Sequence, residues 1–135
     1  MEIQIAIAKI DKFASTESGD TVEIIERPNK GISVVLADGK LNGQGSKAIS
    51  TKIVHKIISQ ITEGIPDGAA VINTSRLIYR EYKGKAKAGL NILSCDMNTD
   101  MINITRCSAV PVALYRDGQV NCIVSDVKAL GEREE

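Results

Sequence analysis

The chain has 135 residues, enough for one domain whose core needs no disulfide or metal staple. Lys and Arg total 17 and Asp and Glu total 17, so the formal charge is zero and gives no general attraction to nucleic acid or an anionic membrane. One Phe, three Tyr and no Trp leave an aliphatic core and no aromatic platform for stacking single-stranded bases. Cys95, Cys107 and Cys122 are an odd set without Cys-x-x-Cys spacing, which points to reduced cytoplasmic thiols, not to a metal knuckle or a disulfide framework. No apolar run has the length of a membrane span, and the N-terminus lacks a basic stretch followed by an apolar one.

In chain order, Ile3, Ile5 and Ile7 alternate with Gln4, Ala6 and Ala8, which predicts a strand over residues 2–10. Val22, Ile24 and Ile25 predict a second strand over 21–27, closed by turn residues Arg27-Pro28-Asn29-Lys30-Gly31. The continuous apolar run from Ile32 to Ala37 reads as a central strand ending at Asp38-Gly39, before a loop over 40–45. Ile49, Ile53, Val54, Ile57, Ile58 and Ile61 recur at helical spacing over 46–62, and Gly64-Ile65-Pro66 stops that helix. Asp67 is placed to cap a second helix with Ala70, Val71, Thr74, Leu77 and Ile78 facing inward, ending near Tyr82 to Lys85. Residues 88–96 and 101–106 flank Asn98-Thr99-Asp100. Residues 111–116 and 119–124 flank the hairpin signal Asp117-Gly118. The tail from Gly131 to Glu135 is polar and expected to fray. This order implies one α+β domain over 1–135, a helix pair packed on antiparallel sheet.

One constellation could carry chemistry. Ser18-Gly19-Asp20 opens the second strand, and Ala37-Asp38-Gly39 closes the third. If these strands are antiparallel neighbours, Asp20 and Asp38 share one end of the sheet. Two adjacent carboxylates repel unless one is protonated or a cation lies between them. Hard oxygen ligands suit Mg²⁺ or Mn²⁺, and Gly39 lets the backbone approach an ion and offer its carbonyl. Both tripeptides are also common turn sequences, so spacing alone leaves the ordinary reading open.

Ser18-Gly19-Asp20 followed by Asp38-Gly39-Lys40-Leu41-Asn42-Gly43 resembles the paired S-G-D and D-G-x-G-x-G motifs of the stage II sporulation protein E family, a bacterial branch of the type 2C metal-dependent protein phosphatases. The similarity continues in order through Ser46-Lys47-Ala48-Ile49, Leu90 to Ser94, Ile104-Thr105-Arg106, Ala109 to Val112 and Arg116-Asp117-Gly118. The resemblance implies a two-metal hydrolase with a sandwich-like α-β-β-α fold. Asp38 then matches the acidic residue bridging two Mn²⁺ or Mg²⁺ ions, Gly39 the carbonyl donor, and Asp20 a further acidic residue of the same centre. Water acidified by the metals attacks phosphoserine or phosphothreonine phosphorus in line. The implied substrate is a phosphorylated regulatory protein, of the anti-sigma-factor antagonist or stressosome type.

Two departures stand out. Leu41 occupies a position where the family's loop has glycine, and its Cβ disfavours φ > 0 there. The family also continues beyond Gly131 with an S/T-D-G motif and a later aspartate. Asp126 in Val124-Ser125-Asp126 resembles the former only superficially, since alignment puts it before the turn at Ala129-Leu130-Gly131. The chain on this reading holds half a site: a fragment, a short non-catalytic form, or a protein completed by another chain. The alternative function is therefore an interaction module with a partial metal site, and beyond it a small-molecule-binding α+β domain. Uncovered strand edges predict a homo-oligomer, through the last strands or the helix pair. His55 reads as a helix-surface residue, Lys83, Lys85 and Lys87 as a solvated connector, Arg106 as structural, and Gly43-Gln44-Gly45 as a weak phosphate cradle without the Walker lysine.

Overall fold

The computed structural model describes residues 2–10, 18–108, 110–124 and 129–131. Strands β1 (Asp20–Glu26) and β2 (Ile32–Leu41) are antiparallel. They are joined by the expected turn, in which Lys30 takes φ 68° and the Arg27 N–H donates to the Gly31 carbonyl at 2.7 Å. β2 alternates with a period of two: Ser33, Val35, Ala37 and Gly39 are buried on one face, while Leu36, Asp38 and Lys40 are exposed on the other.

The expected strand end at Asp38-Gly39 is corrected, because β2 runs on to Leu41. Residues 38–41 pair with Gly89 to Ala86 of strand β4 (Ala86–Asp96), and that ladder carries the strand through both residues. The expected loop over 40–45 is instead a tight hairpin to β3 (Gln44–Gly45), with Leu41 paired to Gln44. Asn42 (φ 51°) and Gly43 (φ 81°) supply the two consecutive positive φ values of a primed two-residue turn.

Helix α1 (Lys47–Thr62) starts where Ser46 Oγ accepts the Ile49 N–H at 3.3 Å, and Ile49, Ile53, Val54, Ile57 and Ile61 are buried as the spacing predicts. Helix α2 (Asp67–Tyr82) departs in two details. Pro66 stands at the cap and Asp67 is the first helical residue, its carboxylate taken by the Arg27 guanidinium and the Ser94 hydroxyl. Leu77 is 38% exposed, off the stripe formed by Ala70, Val71, Thr74, Ser75 and Ile78; Ser75 has the inner place and accepts the Gly131 N–H at 3.0 Å.

Strand β5 (Met101–Cys107) pairs with β4, so the sheet runs β1-β2-β4-β5 with β3 beside β2. Strands β6 (Val112–Arg116) and β7 (Gln119–Ile123) form a separate hairpin turned by Asp117 and Gly118. Both helices cover one face of the sheet, where Val35, Leu90 and Ile92 pack with Ile53, Ile57 and Ile78. Each fully buried isoleucine contributes about 1.5–3 kcal/mol of apolar transfer. Leu130, 1% exposed, joins this core and exchanges backbone hydrogen bonds with Ala88 at 2.8 and 2.9 Å, beyond the end of β5. Gly131 is accordingly buried, whereas the rest of the tail, 132–135, lies outside the described residues.

The strand expected over 2–10 is not formed. Ile3 and Ile5 share a cleft with Ile32, Val34 and Leu93, and Ile7 and Ala8 another with Val22 and Leu36. The segment thus meets the sheet through its helix-free face and not through an edge ladder, which leaves its alternating apolar residues without strand hydrogen bonds.

Candidate metal centre

β1 and β2 bring the two singled-out carboxylates together. Asp20 stands directly opposite Asp38 in the ladder. The adjacent pair is hydrogen-bonded, since the Gly39 N–H donates to the Gly19 carbonyl at 3.0 Å. Asp20 and Asp38 therefore form the alternate, non-hydrogen-bonded pair, with Cα atoms about 4.5 Å apart and side chains on the same face. That face is the helix-free one: Asp38 is exposed and Asp20 half-buried. On its other side Asp38 faces Gly89 of β4, over which the buried Ser108 side chain lies: a Cβ on Gly89 would stand 3.3 Å from Ser108 Oγ.

Gly39 points the opposite way, towards α1. A Cβ there would lie 2.5 Å from the Ser50 nitrogen and 2.6 Å from the Ser46 carbonyl oxygen, so only glycine admits the helix this close. The Gly39 carbonyl accepts the Ser46 N–H at 2.8 Å. Buried Thr21, next to Asp20, shares a 2.7 Å hydrogen bond with Ser50, so the first turn of α1 is tied to both strands that carry the carboxylates.

The Asp20 backbone carbonyl accepts from the Lys47 ammonium, and from Lys9 at 2.9 Å. Lys40, on the same face as Asp38, lies directly opposite Lys87. The sequence reading did not weigh Lys9, Lys40 or Lys47 as site residues, and it weighed Lys87 as part of a phosphate site before preferring a solvated connector. Lys47 looked like a helix-opening residue only, and Lys87, expected in a solvated connector, is a β4 residue. The cue was spacing: Lys40 follows Asp38 by two positions and so shares its face.

The other candidates lie elsewhere or serve the framework. His55 is exposed on α1. The Arg106 guanidinium donates to the Ser108 and Val110 carbonyls at 3.0 and 2.7 Å. Gly43 and Gly45 belong to the β2–β3 hairpin. Asp126 lies outside the described residues. A cleft of about 430 Å³ opens at the far end of the sheet beside Arg27, Asp67, Ser94 and Asp96. There Arg27 bridges Asp67 and Ser33, and Ser33 and Ser94 hydrogen-bond at 2.8 Å; these groups satisfy one another and lock the β1–β2 turn to α2.

No protein-family model and no curated protein matches the sequence. Solved structures do match. The PP2C phosphatase domain, with a fragment of the regulatory domain, of the cell-fate determinant SpoIIE from Bacillus subtilis superimposes with TM-score 0.72 at 16% identity, over 84% of this chain and 34% of that one. This chain has the fold of the SpoIIE-type PP2C phosphatases. The S. agalactiae serine/threonine phosphatase shares that PP2C fold at TM-score 0.66 and 17% identity, over 83% of this chain and 51% of that one. The RsbU and RsbW domains of a Mycobacterium tuberculosis protein match at TM-score 0.67 and 17% identity, over 89% and 34%. The chain thus spans between about a third and a half of the length of these three structures.

The described residues of this PP2C-fold chain contain no group of three or more His, Cys, Asp or Glu side chains placed to hold an ion. Asp20 and Asp38 nonetheless fit a hydrated Mg²⁺ or Mn²⁺. Such ions bind through one or two carboxylates and keep several waters, and Asp38 stands exposed to solvent on the open face. No helix among the described residues is long and apolar enough to cross a membrane.

Proposed function

We propose that this chain carries part of a metal-dependent phosphoserine/phosphothreonine phosphatase site, with Asp20 and Asp38 as its carboxylate ligands. The observation supporting this most directly is the cross-strand pairing of Asp20 with Asp38 on the open face of a PP2C-type fold. Asp38 holds the ion from the centre of the sheet, and Asp20 adds a second charge from the edge strand. Gly39 supplies the close packing that fixes α1 against both strands, and its carbonyl, which accepts the Ser46 N–H, is the third candidate ligand. A bound Mn²⁺ or Mg²⁺ supplies positive charge against the phosphoryl oxygens and acidifies water for the attack on phosphorus. The substrate on this reading is a phosphorylated regulatory protein of the anti-sigma-factor antagonist or stressosome type. The setting is cytoplasmic, where free Cys95, Cys107 and Cys122 stay reduced.

The second reading, an interaction module with a partial metal site, is favoured by the two-carboxylate count among the described residues. Mn²⁺-dependent hydrolysis of p-nitrophenyl phosphate, by this chain and by any longer natural form, separates the two. Asp38→Asn should abolish turnover in the active form. Near wild-type turnover by that variant at saturating Mn²⁺ removes Asp38 from the chemistry.

A further inference from the structure

Four lysines gather at the end of the sheet that carries the carboxylate pair. Lys47, from the first turn of α1, and Lys9, from the N-terminal segment, both donate to the Asp20 carbonyl. Lys40 and Lys87 face each other on adjacent strands, one ladder step past Gly39 and two past Asp38, and both are exposed. Like charges directly opposite one another in a ladder destabilise it. Nor is the clustering forced by an excess of basic residues, since the chain as a whole has zero net charge. Asp20 and Asp38 offset two of these charges, and a divalent ion between the carboxylates would use that compensation. Among the described residues, this end of the sheet thus brings four lysines to two carboxylates, an arrangement suited to a multiply charged anion.

We propose that Lys47, with the Lys40–Lys87 pair, forms the anion subsite of this centre, and that Lys47 anchors the phosphoryl group of the substrate. The assignment rests on the phosphatase reading above and adds residues to it. Lys47 is suited to the task by its fixed origin: its helix start is capped by Ser46 and held to β1 through Ser50 and Thr21. An ammonium delivered from that position binds as a point charge. Lys40 and Lys87, on the exposed face, extend the subsite towards acidic groups next to the phosphorylated residue.

The test measures Mn²⁺ affinity by calorimetry and inorganic phosphate affinity by phosphorus NMR, for the wild type, Lys47→Ala, Lys47→Arg and the double variant Lys40→Gln/Lys87→Gln. A local positive charge opposes metal binding and favours phosphate. Lys47→Ala should therefore weaken phosphate on the order of tenfold while leaving Mn²⁺ affinity equal or tighter. Lys47→Arg should keep phosphate affinity, and the double variant should lower it several-fold. Unchanged phosphate affinity in Lys47→Ala overturns the assignment, as does a parallel loss of both ligands, which marks a structural role. Should Lys47→Ala fail to fold, the double variant decides, because both its positions are exposed; unchanged phosphate affinity there dismisses the subsite. A wild type that binds phosphate through Lys47 but no Mn²⁺ sinks the phosphatase reading and leaves the subsite standing. A wild type that binds neither sinks both.

Discussion

Asp38 and Gly39 show how two neighbouring residues divide their work. The first is exposed on the open face and the second is buried against α1, with no volume to spare. The clashing atoms around Gly39 are backbone atoms of Ser46 and Ser50, which cannot swing aside as a flexible side chain would. Gly39→Ala should therefore cost about 1–3 kcal/mol in urea unfolding, the usual penalty of overpacking, and should lower Mn²⁺ affinity by displacing the strand. A variant as stable as the wild type would mean that α1 sits farther from β2 than described. The cysteines separate by the same kind of argument. Cys122 is exposed and Cys95 buried; Cys107 is half-buried, and desolvation raises its thiol above the ordinary value. A raised thiol holds less thiolate at a given pH, so its reaction begins at higher pH. Iodoacetamide at neutral pH should label Cys122 first, with Cys107 following only as pH increases; mass spectrometry of the peptides reads the order.

At the scale of elements, the β2–β3 hairpin answers the question raised by Leu41. The two positive φ angles fall on Asn42 and Gly43, while Leu41 is a paired strand residue whose side chain packs against the core. Restoring glycine at this position should thus destabilise the chain by about 2 kcal/mol, through lost burial and added backbone freedom. A thermal melt of Leu41→Gly at or above the wild-type midpoint would show that the leucine strains the hairpin. Legibility followed the same logic. The helices were readable because isoleucines recur along α1 at a period no strand shares, and the Asp117-Gly118 hairpin because its turn chemistry is local. The carboxylate pair was readable once β1 and β2 were taken as neighbours. What escaped depended on partners distant in sequence. β2 outlasts Asp38-Gly39 because β4 pairs with it, and Lys87 is a strand residue for the same reason. Residues 2–10 alternate as a strand would, but periodicity cannot supply a ladder partner. Asp67 has the sequence of a cap, and Arg27, 40 positions away, draws its carboxylate to a different use.

For the molecule as a whole, the sheet has a closed side and an open one. The helices seal the first; on the second, Ile24 (44%), Leu36 (41%), Leu93 (39%) and Ile102 (53%) remain exposed, and so do Tyr115 and Val120 of the β6–β7 hairpin. Apolar surface on this pattern promotes association, and zero net charge does little to oppose it. The 135-residue chain is expected to self-associate at micromolar concentration, and light scattering that gives a 14.5 kDa particle throughout a dilution series would refute this. The two-sidedness of the sheet also has a hereditary consequence. Because β2 alternates between its faces, the candidate site depends on parity. One codon gained or lost between Ile32 and Asp38 would turn the carboxylate into the helix layer and bring the glycine out to solvent. A second change of one codon would restore both. Descendants of this gene can vary the exposed tip of the β1–β2 turn, Pro28 to Lys30, more freely than its anchored ends Arg27 and Gly31 or the strand it feeds, where length changes persist only in pairs or with a bulge to absorb the odd residue.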